Sequence, residues 1–208
     1  MTQQEILRAI RDGVPLPPSV EVLDGVWVWA DALRIDGVRV AVSARTAQLV
    51  ADALGMSLAT AALEDEIWRV AEIRLEPATF SPARFRIDAW ETVERHSAAV
   101  DARLQGTPAM PGDLVAGVGK AWVLDDRAID RPGRAANYGW HSAGAPYRPV
   151  TAGVPKVWQP LAFAHNLDHF DYSQTLRLVT LEQGAELPTH RRDARGAPVR
   201  LRHARYDV

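Results

Sequence analysis

The sequence predicts an α+β fold in which a helix-rich N-terminal half packs against a strand-rich, mostly antiparallel C-terminal half. Before Pro111, apolar residues recur at helical spacing in several segments. After it, short strand-like runs that contain tryptophan alternate with connectors rich in Gly, Pro and Asp. The 208 residues are enough to bury one core, so we expect a single domain over residues 1–189, followed by a partly ordered, Arg-rich tail over residues 190–208.

The N-terminal half is expected to consist of helices and tight turns. An amphipathic helix is predicted over residues 3–12, and Gly13 with the prolines that follow ends it. Asp-Gly pairs at residues 24–25 and 36–37 each predict a hairpin between short strands. N-cap residues and apolar spacing predict three further helices, from Ser43 to Leu54, from Thr60 to Ala71 and from Phe85 to Leu104.

Three consecutive acidic residues stand at the beginning of the helix that Thr60 caps: Glu64, Asp65 and Glu66. The positive end of the helix dipole favours acidic side chains in the first turn. We therefore interpret these residues as helix-stabilising.

The C-terminal half is expected to supply most of the strands. Strands are predicted over residues 120–124, 135–141, 157–165 and 174–181. The connectors between them are too rich in Gly, Pro and Asp to continue a strand or a helix.

Composition excludes several kinds of site and partner. The chain has no cysteine, which excludes thiol nucleophiles, disulfides and cysteine-ligated metal sites. A net charge of −2 does not favour nucleic acid as a partner, and we interpret the arginines of the tail as a solvated segment. No apolar stretch reaches the length of a membrane span, so no membrane partner is expected. Residues 1–13 lack the features of a secretory signal, and we expect a cytoplasmic protein that lysis can release.

The most informative stretch of the chain is a dense polar cluster at residues 165–174, between an apolar run and an alternating one. It contains two histidines and two aspartates, which perform acid–base or metal chemistry near neutral pH. A turn that only reverses the chain is more often built from Gly, Asn, Pro and Ser. The sequence therefore indicates a functional site around His165, Asp171 and Tyr172.

The two histidines of this cluster have two interpretations. His165 and His169 are spaced i, i+4, so on a helix both rings would face one metal ion such as zinc. Asp171 or His141 would then be a third ligand. Asn166 occupies the position of the glutamate in an H-E-x-x-H motif, so that general base is absent. The alternative is a tight loop between strands, in which the histidines pair with nearby aspartates and with the backbone.

Three further candidates lie outside or at the end of this cluster. His141 ends a predicted strand and would face the cluster if its strand neighbours the 157–165 strand. Lys120 follows a Gly-Val-Gly run that resembles a phosphate loop but lacks the first glycine and the Ser/Thr of that motif. The partner expected for Lys120 is therefore an anion or a carboxylate. Ser173 is a candidate nucleophile in a Ser–His–Asp relay. No G-x-S-x-G elbow surrounds it, however, and a backbone hydrogen bond is the simpler role.

Several of these features occur together in a known family. They are a Gly–Lys segment before a strand, a Tyr-Gly-Trp-His run, and a His followed by Asp-Tyr-Ser and a strand that ends in Arg-Leu-Val. In this chain they correspond to residues 117–120, 138–141, 165, 171–173 and 177–179. In these features the chain resembles a family of uncharacterised bacterial and bacteriophage-associated proteins, over roughly residues 36–180. The resemblance implies which positions matter, without naming a reaction, and it favours His165 over His169 as the essential histidine.

The expected function is hydrolysis at a His/Asp-centred site made of His141, His165, Asp171, Tyr172 and Lys120. A histidine oriented by Asp171 would activate water against an amide, glycosidic or ester bond. Tyr172 or Lys120 would stabilise the developing oxyanion. The expected substrate is a small molecule or a bacterial cell-wall polymer, the latter because of the phage association of the resemblance.

Two alternatives accompany this hypothesis. In a metal-assisted version of the hydrolysis, a divalent ion such as zinc binds at His165 and His169. In the other, the protein is not an enzyme but a structural or binding protein, such as a virion or assembly component. A carbohydrate would then bind against Trp140 and Trp158.

Overall fold

Four α-helices and ten short β-strands form the described part of the chain, which in this computed structural model comprises residues 1–190, 192, 194, 197, 199, 201, 205, 206 and 208. The helices are α1 (Gln3–Arg11), α2 (Ala44–Leu54), α3 (Ala61–Val70) and α4 (Trp90–Gln105). The strands are β1 (Ser19–Leu23), β2 (Val26–Trp29), β3 (Arg34–Ile35), β4 (Val38–Arg39), β5 (Ile73–Arg74), β6 (Val115–Ala116), β7 (Lys120–Val123), β8 (Arg134–His141), β9 (Val157–Asn166) and β10 (Val179–Leu181). The helices lie mostly in the N-terminal half and the longest strands in the C-terminal half, so the α+β prediction is confirmed.

The first three helices begin and end where local sequence signals predicted. Thr2, Ser43 and Thr60 each accept a hydrogen bond from a backbone N–H of the first turn, which satisfies a donor that the helix itself leaves free. Gly55 ends α2 in the left-handed conformation that glycine adopts without steric cost. Among the described residues, no helix is long and apolar enough to cross a membrane.

The fourth helix begins later than predicted, at Trp90 instead of Phe85. Residues 80–87 are held by Tyr172: its hydroxyl bonds to the backbone of Phe80, and its N–H donates to the carbonyl of Ile87 at 2.8 Å. This contact from a distant segment replaces the hydrogen bonds that a longer helix would make, and apolar spacing does not reveal it.

Short-range hairpins and two three-stranded sheets make up most of the β-structure. Both predicted Asp-Gly turns are present, because β1 pairs with β2 and β3 with β4 in antiparallel register. One sheet has the order β1-β2-β10, and the other has the order β7-β8-β9. Both are antiparallel, while the small β5-β6 pair is parallel.

The predicted strand over residues 174–181 is wrong in its first part, since β10 covers only Val179–Leu181. Residues 174–178 instead bond to several segments in turn: the carbonyls of Gln174, Leu176 and Leu178 accept from Val42, Leu33 and Trp29. An alternating pattern predicts an extended, half-buried chain correctly, but it does not show whether one continuous partner strand is present.

The largest apolar cluster joins the two halves of the chain. Fully buried side chains from both halves meet in it: Ile6, Leu33, Leu58, Trp122, Leu176 and Leu178. The predicted tail lies partly outside the described residues, but Tyr206 packs in this same cluster and is only 4% exposed. Its hydroxyl donates to the carbonyl of Val123 at 2.5 Å and accepts from the N–H of Ala136 at 2.8 Å. Tyr206 therefore attaches the end of the described chain to β7 and β8.

Candidate functional site

A narrow cleft lies where α3 approaches the ends of β7 and β8. Charged and aromatic side chains converge on it: Glu64, Lys120, Arg177, His141, Trp68 and Trp140. Its cavity volume is about 20 Å³, which is roughly the room that one water molecule needs. Titratable groups that converge in a concave place are candidates for catalysis or binding.

Glu64 is the carboxyl group of this cleft. It lies in α3, and protein surrounds it while part of its surface remains accessible through the cleft. Burial raises its pKa, and the nearby charges of Arg177 and His141 offset only part of that effect. Its carboxyl group makes no hydrogen bond to any residue that the structure describes. Glu64 therefore resembles a proton donor more than a structural ion-pair partner.

His141 is held in the cleft wall by a buried aspartate. Its Nε2 donates to Oδ1 of Asp65 at 2.7 Å, and its ring stacks on Trp68 with the centroids 5.3 Å apart. Asp65 also accepts from the hydroxyl of Tyr138 at 2.7 Å and from the N–H of Thr151 at 2.6 Å. With Nε2 donating to the carboxylate, Nδ1 of His141 is left as the proton acceptor.

An irregularity in β8 makes this arrangement possible. In a regular strand Tyr138 and His141 would point to opposite faces, because side chains alternate. The β8–β9 register shifts between Asn137 and Gly139, and both Gly139 and Trp140 have positive φ, 123° and 61°. A bulky residue in that region is strained, and such strain concentrates at functional sites. The distortion allows Tyr138 and His141 to reach the same carboxylate.

His141 does not face His165, contrary to the expectation that it would face the histidines of the 165–173 cluster. β8 does neighbour β9, but the antiparallel register places His141 opposite Val157 and His165 opposite Ala135. Six residues of strand separate these two pairs, or about 20 Å at the usual rise. The carboxylate that orients His141 is therefore Asp65 and not Asp171.

Lys120 and Asp171, which the sequence placed in one site, do meet. Nζ of Lys120 donates to Oδ2 of Asp171 at 2.8 Å, and both side chains are about nine-tenths buried. Burial opposes ionisation of Asp171, but the Lys120 charge and hydrogen bonds from Lys120 and Ser173 outweigh it and lower the pKa of Asp171. The ammonium group also lies 5.3 Å from the Trp140 ring, at the edge of the cleft.

Ser173 and the glycines before Lys120 have structural roles. Both the N–H and the hydroxyl of Ser173 bond to Asp171, and no histidine accepts from the hydroxyl in the described chain, so the geometry gives no support to a Ser–His–Asp relay. A side chain at Gly119 would come within 2.6 Å of the Ser173 carbonyl, and one at Gly117 within 2.1 Å of the Leu75 carbonyl. These glycines are required by close backbone packing rather than by a phosphate.

Tyr172 lies outside the cleft and organises its surroundings. It is 5% exposed, and burial raises its pKa. Its ring packs against Phe80, His96 and Trp140. Through the backbone of Phe80 and Ile87 it fixes the segment before α4, which is a positioning role in this geometry.

His165, near the end of β9, and His169, in the loop that follows it, form a stacked pair. Asn166 accepts from the N–H groups of Asp168 and His169, which makes a tight turn rather than a helix. The rings are 3.9 Å apart and nearly parallel at 7°, so their lone pairs do not converge on one ion. Burial lowers the pKa of both histidines.

The partners of these histidines differ from both interpretations. In the described part of the chain, no group of three or more His, Asp or Glu residues is arranged to hold a metal ion. The nearby aspartates do not pair with the histidines either, since Asp168 pairs with Arg45 at 2.6 Å and Asp171 with Lys120.

Arg177 is the second cation that lines the cleft, beside Lys120. Its Nη2 donates to the carbonyls of Val115 and Ala30 at 2.5 and 3.3 Å. Its Nε is buried and has no hydrogen-bond partner among the described residues. Burial lowers the pKa of this guanidinium, although Glu64 and Asp31 favour its charge.

Sequence reasoning missed Glu64, Asp65 and Arg177. The two acids matched the helix-dipole pattern of a first turn, so nothing in the local sequence marked them as buried. Arg177 stands at the polar position of an alternating run, which indicates a solvent-facing side chain. Only contacts over long sequence distances bring these residues together with His141.

The chain has no match among known protein family models, curated proteins or solved structures. The resemblance to bacterial and phage-associated proteins therefore stays a prediction, and the site has to be interpreted from its own geometry.

The aromatic platform expected for a carbohydrate is only half present. Trp158 is 46% exposed, but Trp140 is buried at 7% and packs against His96 and Tyr172. A sugar ring stacks on an exposed aromatic face, so Trp158 alone is suited to that role.

Proposed function

We propose that this protein is a hydrolase in which Glu64 and His141 act as acid and base in the cleft beneath Trp68 and Trp140. The observation that carries the proposal is the half-buried carboxyl of Glu64, without a hydrogen bond to any described residue, in the same cavity as a histidine that Asp65 orients. A carboxyl and an imidazole in one cavity can act as general acid and general base.

The reaction follows from the roles that these groups can take. Nδ1 of His141 accepts a proton from water, whose oxygen attacks the carbon of an amide, glycosidic or ester bond. Protonated Glu64 gives its proton to the leaving nitrogen or oxygen as the bond breaks. The proton on His141 then returns to Glu64 through solvent, which restores the starting state. Asp65 stabilises the imidazolium, and Lys120 and Arg177 favour the developing negative charge.

The other predicted site residues support this centre from outside it. Asp171 fixes the Lys120 ammonium, and Tyr172 fixes the segment before α4. The stacked pair of His165 and His169 lies near the other end of β8 and carries no step of this mechanism. Bacterial cell-wall polymer remains the first substrate to test, because the resemblance associates the chain with phage.

The test is digestion of purified bacterial cell wall, with the released fragments identified by mass spectrometry so that the cleaved bond is known. We expect Glu64→Gln and His141→Asn each to lower the rate by about 100-fold to 10,000-fold. Glu91→Gln is the matched control, because Glu91 is an exposed acid on α4. Far-UV circular dichroism and thermal melting verify that each variant is folded.

Two results would overturn the proposal. One is that the wild type releases fragments and that folded Glu64→Gln and His141→Asn release them at the same rate. The other is loss of activity in His165→Ala with retention in His141→Asn, which would move the reaction to the stacked pair. If no bond is cut in the cell wall or in a panel of peptides, esters and glycosides, the binding-protein alternative replaces the hydrolase.

A further inference from the structure

We propose that the cleft binds a carboxylate group of its substrate on Arg177, with Lys120 at its mouth, so that the bond cut lies next to a free acid. This inference rests on the function proposed for the same site. It names the substrate class: a peptide or another acyl amino acid with a free terminal carboxylate.

The first support is the incomplete hydrogen bonding of Arg177. A guanidinium has five N–H donors, and here the Nη2 donors are taken by the carbonyls of Ala30 and Val115. No described residue accepts from Nη1 or from the buried Nε. A buried charge without a partner is costly, and buried guanidinium groups are normally paired with an anion. Nη1 is therefore available to a ligand that enters the cleft, whereas the buried Nε is not.

The second support is that no carboxylate of the cleft is already that partner. Glu64 and Arg177 affect each other's ionisation, but these two described residues form no hydrogen bond or ion pair with each other. Asp171 is occupied by Lys120 and Ser173, and Asp65 by His141 and Tyr138. Burial also raises the pKa of Glu64, so this carboxyl competes less strongly than an ordinary carboxylate for the Arg177 charge.

The third support is the size of the space. The cavity volume of about 20 Å³ takes one small group. A carboxylate is small and planar, and one of its oxygens can accept a charge-assisted hydrogen bond from Nη1. Trp68 and Trp140 line the same cavity, and their apolar faces reduce competition from water.

The chemistry then becomes specific. With the terminal carboxylate on Arg177, the amide carbon next to the last residue receives the water oxygen, and its C–N bond breaks. The leaving nitrogen takes the proton from Glu64, and His141 takes the proton from the water. The products are a shortened acid and a free amino acid that still carries the bound carboxylate. Attack from the chain end releases single residues rather than internal fragments.

The test compares two probes that differ only in charge at one end, N-acetylglycine and N-acetylglycinamide. Binding to the full chain is followed by two-dimensional NMR at constant ionic strength, with the amides of residues 117–119 and the indoles of Trp68 and Trp140 as reporters. We expect N-acetylglycine to shift these signals and N-acetylglycinamide to bind about tenfold more weakly or worse.

Variants test whether Arg177 is the residue that binds N-acetylglycine. We expect Arg177→Met to lose at least about tenfold in N-acetylglycine affinity, while Arg95→Met, on the exposed surface of α4, retains it. If Arg177→Met does not fold, the wild-type comparison of the two probes still decides the question. Equal binding of both probes, shifts away from the cleft, or inorganic phosphate that binds there more tightly than N-acetylglycine would overturn the inference.

The two proposals fail in different ways. Probe binding does not require turnover, so it should persist in Glu64→Gln. Selective carboxylate binding without any hydrolysis would contradict the proposed hydrolase function and would support the carboxylate site. Equal rates of hydrolysis for peptides with a free and with an amidated C-terminus would contradict the carboxylate site and would support the hydrolase function.

Discussion

Two arginines with buried guanidinium nitrogens have different surroundings. Arg39 in β4 has no exposed surface, and its guanidinium donates to Asp31 through Nε and Nη2 and to Asp101 through Nη1, at 2.6–3.1 Å. Arg177 has only backbone carbonyls as partners, and its Nε has none in the described chain. In the first arrangement every guanidinium nitrogen bonds to a carboxylate, which links β4 to α4. The second places a guanidinium without a carboxylate partner beside a cavity, so the kind of hydrogen-bond partner distinguishes a structural cation from one available for binding.

The largest expected effect concerns acid stability beside Arg39. Burial lowers the pKa of His96 to about 3, and the Arg39 charge adds to the shift. The unfolded state takes up a proton near pH 6.5 and the folded state does not, so stability is lost progressively as pH falls from 6.5 towards 3. The loss in unfolding free energy amounts to several kcal/mol if His96 stays buried in the folded protein.

The replacement His96→Leu tests this directly. It removes the proton uptake by the unfolded chain, and we expect urea midpoints to fall less steeply between pH 6.5 and 4 than in the wild type. Identical slopes for the two proteins would show that other groups control acid unfolding.

The next effect is a difference in stability loss between substitutions at Arg39 and at Arg177. Arg39→Met removes the buried cation that bridges Asp31 and Asp101 and leaves them the partly exposed Arg34. We expect about 3 kcal/mol of lost unfolding free energy, at the low end for a buried ion pair because Arg34 remains. Arg177→Met removes two bonds to carbonyls but also a charge that burial disfavours, so we expect about 1 kcal/mol. Urea denaturation at pH 7 measures both. A larger loss for Arg177 than for Arg39 would make Arg177 the structural residue and reverse the comparison.

The smallest expected effect is a gain in stability. Burial raises the pKa of Glu64 in the folded protein. Its favourable contribution to the free energy of unfolding is therefore complete below the unfolded pKa of about 4.3, and it is lost as pH rises through the folded pKa. Glu64→Gln should therefore be slightly more stable than the wild type at pH 8 and show little difference at pH 4. The same variant should be inactive, which is the trade-off expected where activity needs a buried acid. A loss of stability at pH 8 would instead indicate that the carboxylate is paired in the native protein.

The sequence predicted features that depend on neighbouring residues and missed those that depend on distant ones. Caps at Ser43 and Thr60 and the Asp-Gly hairpins involve contacts within a few residues, and all of them are confirmed. The beginnings of α4 and β10 were wrong because Tyr172 and several separate backbone segments determine them. In the candidate site, Lys120 and Asp171 were expected near each other, but Asp171 was expected to orient a histidine and pairs with Lys120 instead. The His141–Asp65 pair spans 76 positions and depends on a distorted strand, which no local pattern indicates.

The burial of Tyr206 has a consequence for truncation of the protein. Its hydroxyl bridges β7 and β8, and its N–H donates to the Gln48 side chain at 2.8 Å, across 158 positions of chain. A variant cut before Tyr206 would leave the N–H of Ala136 and the carbonyl of Val123 without this partner. Residues far from the candidate site in sequence therefore help to hold the two strands that carry Lys120 and His141.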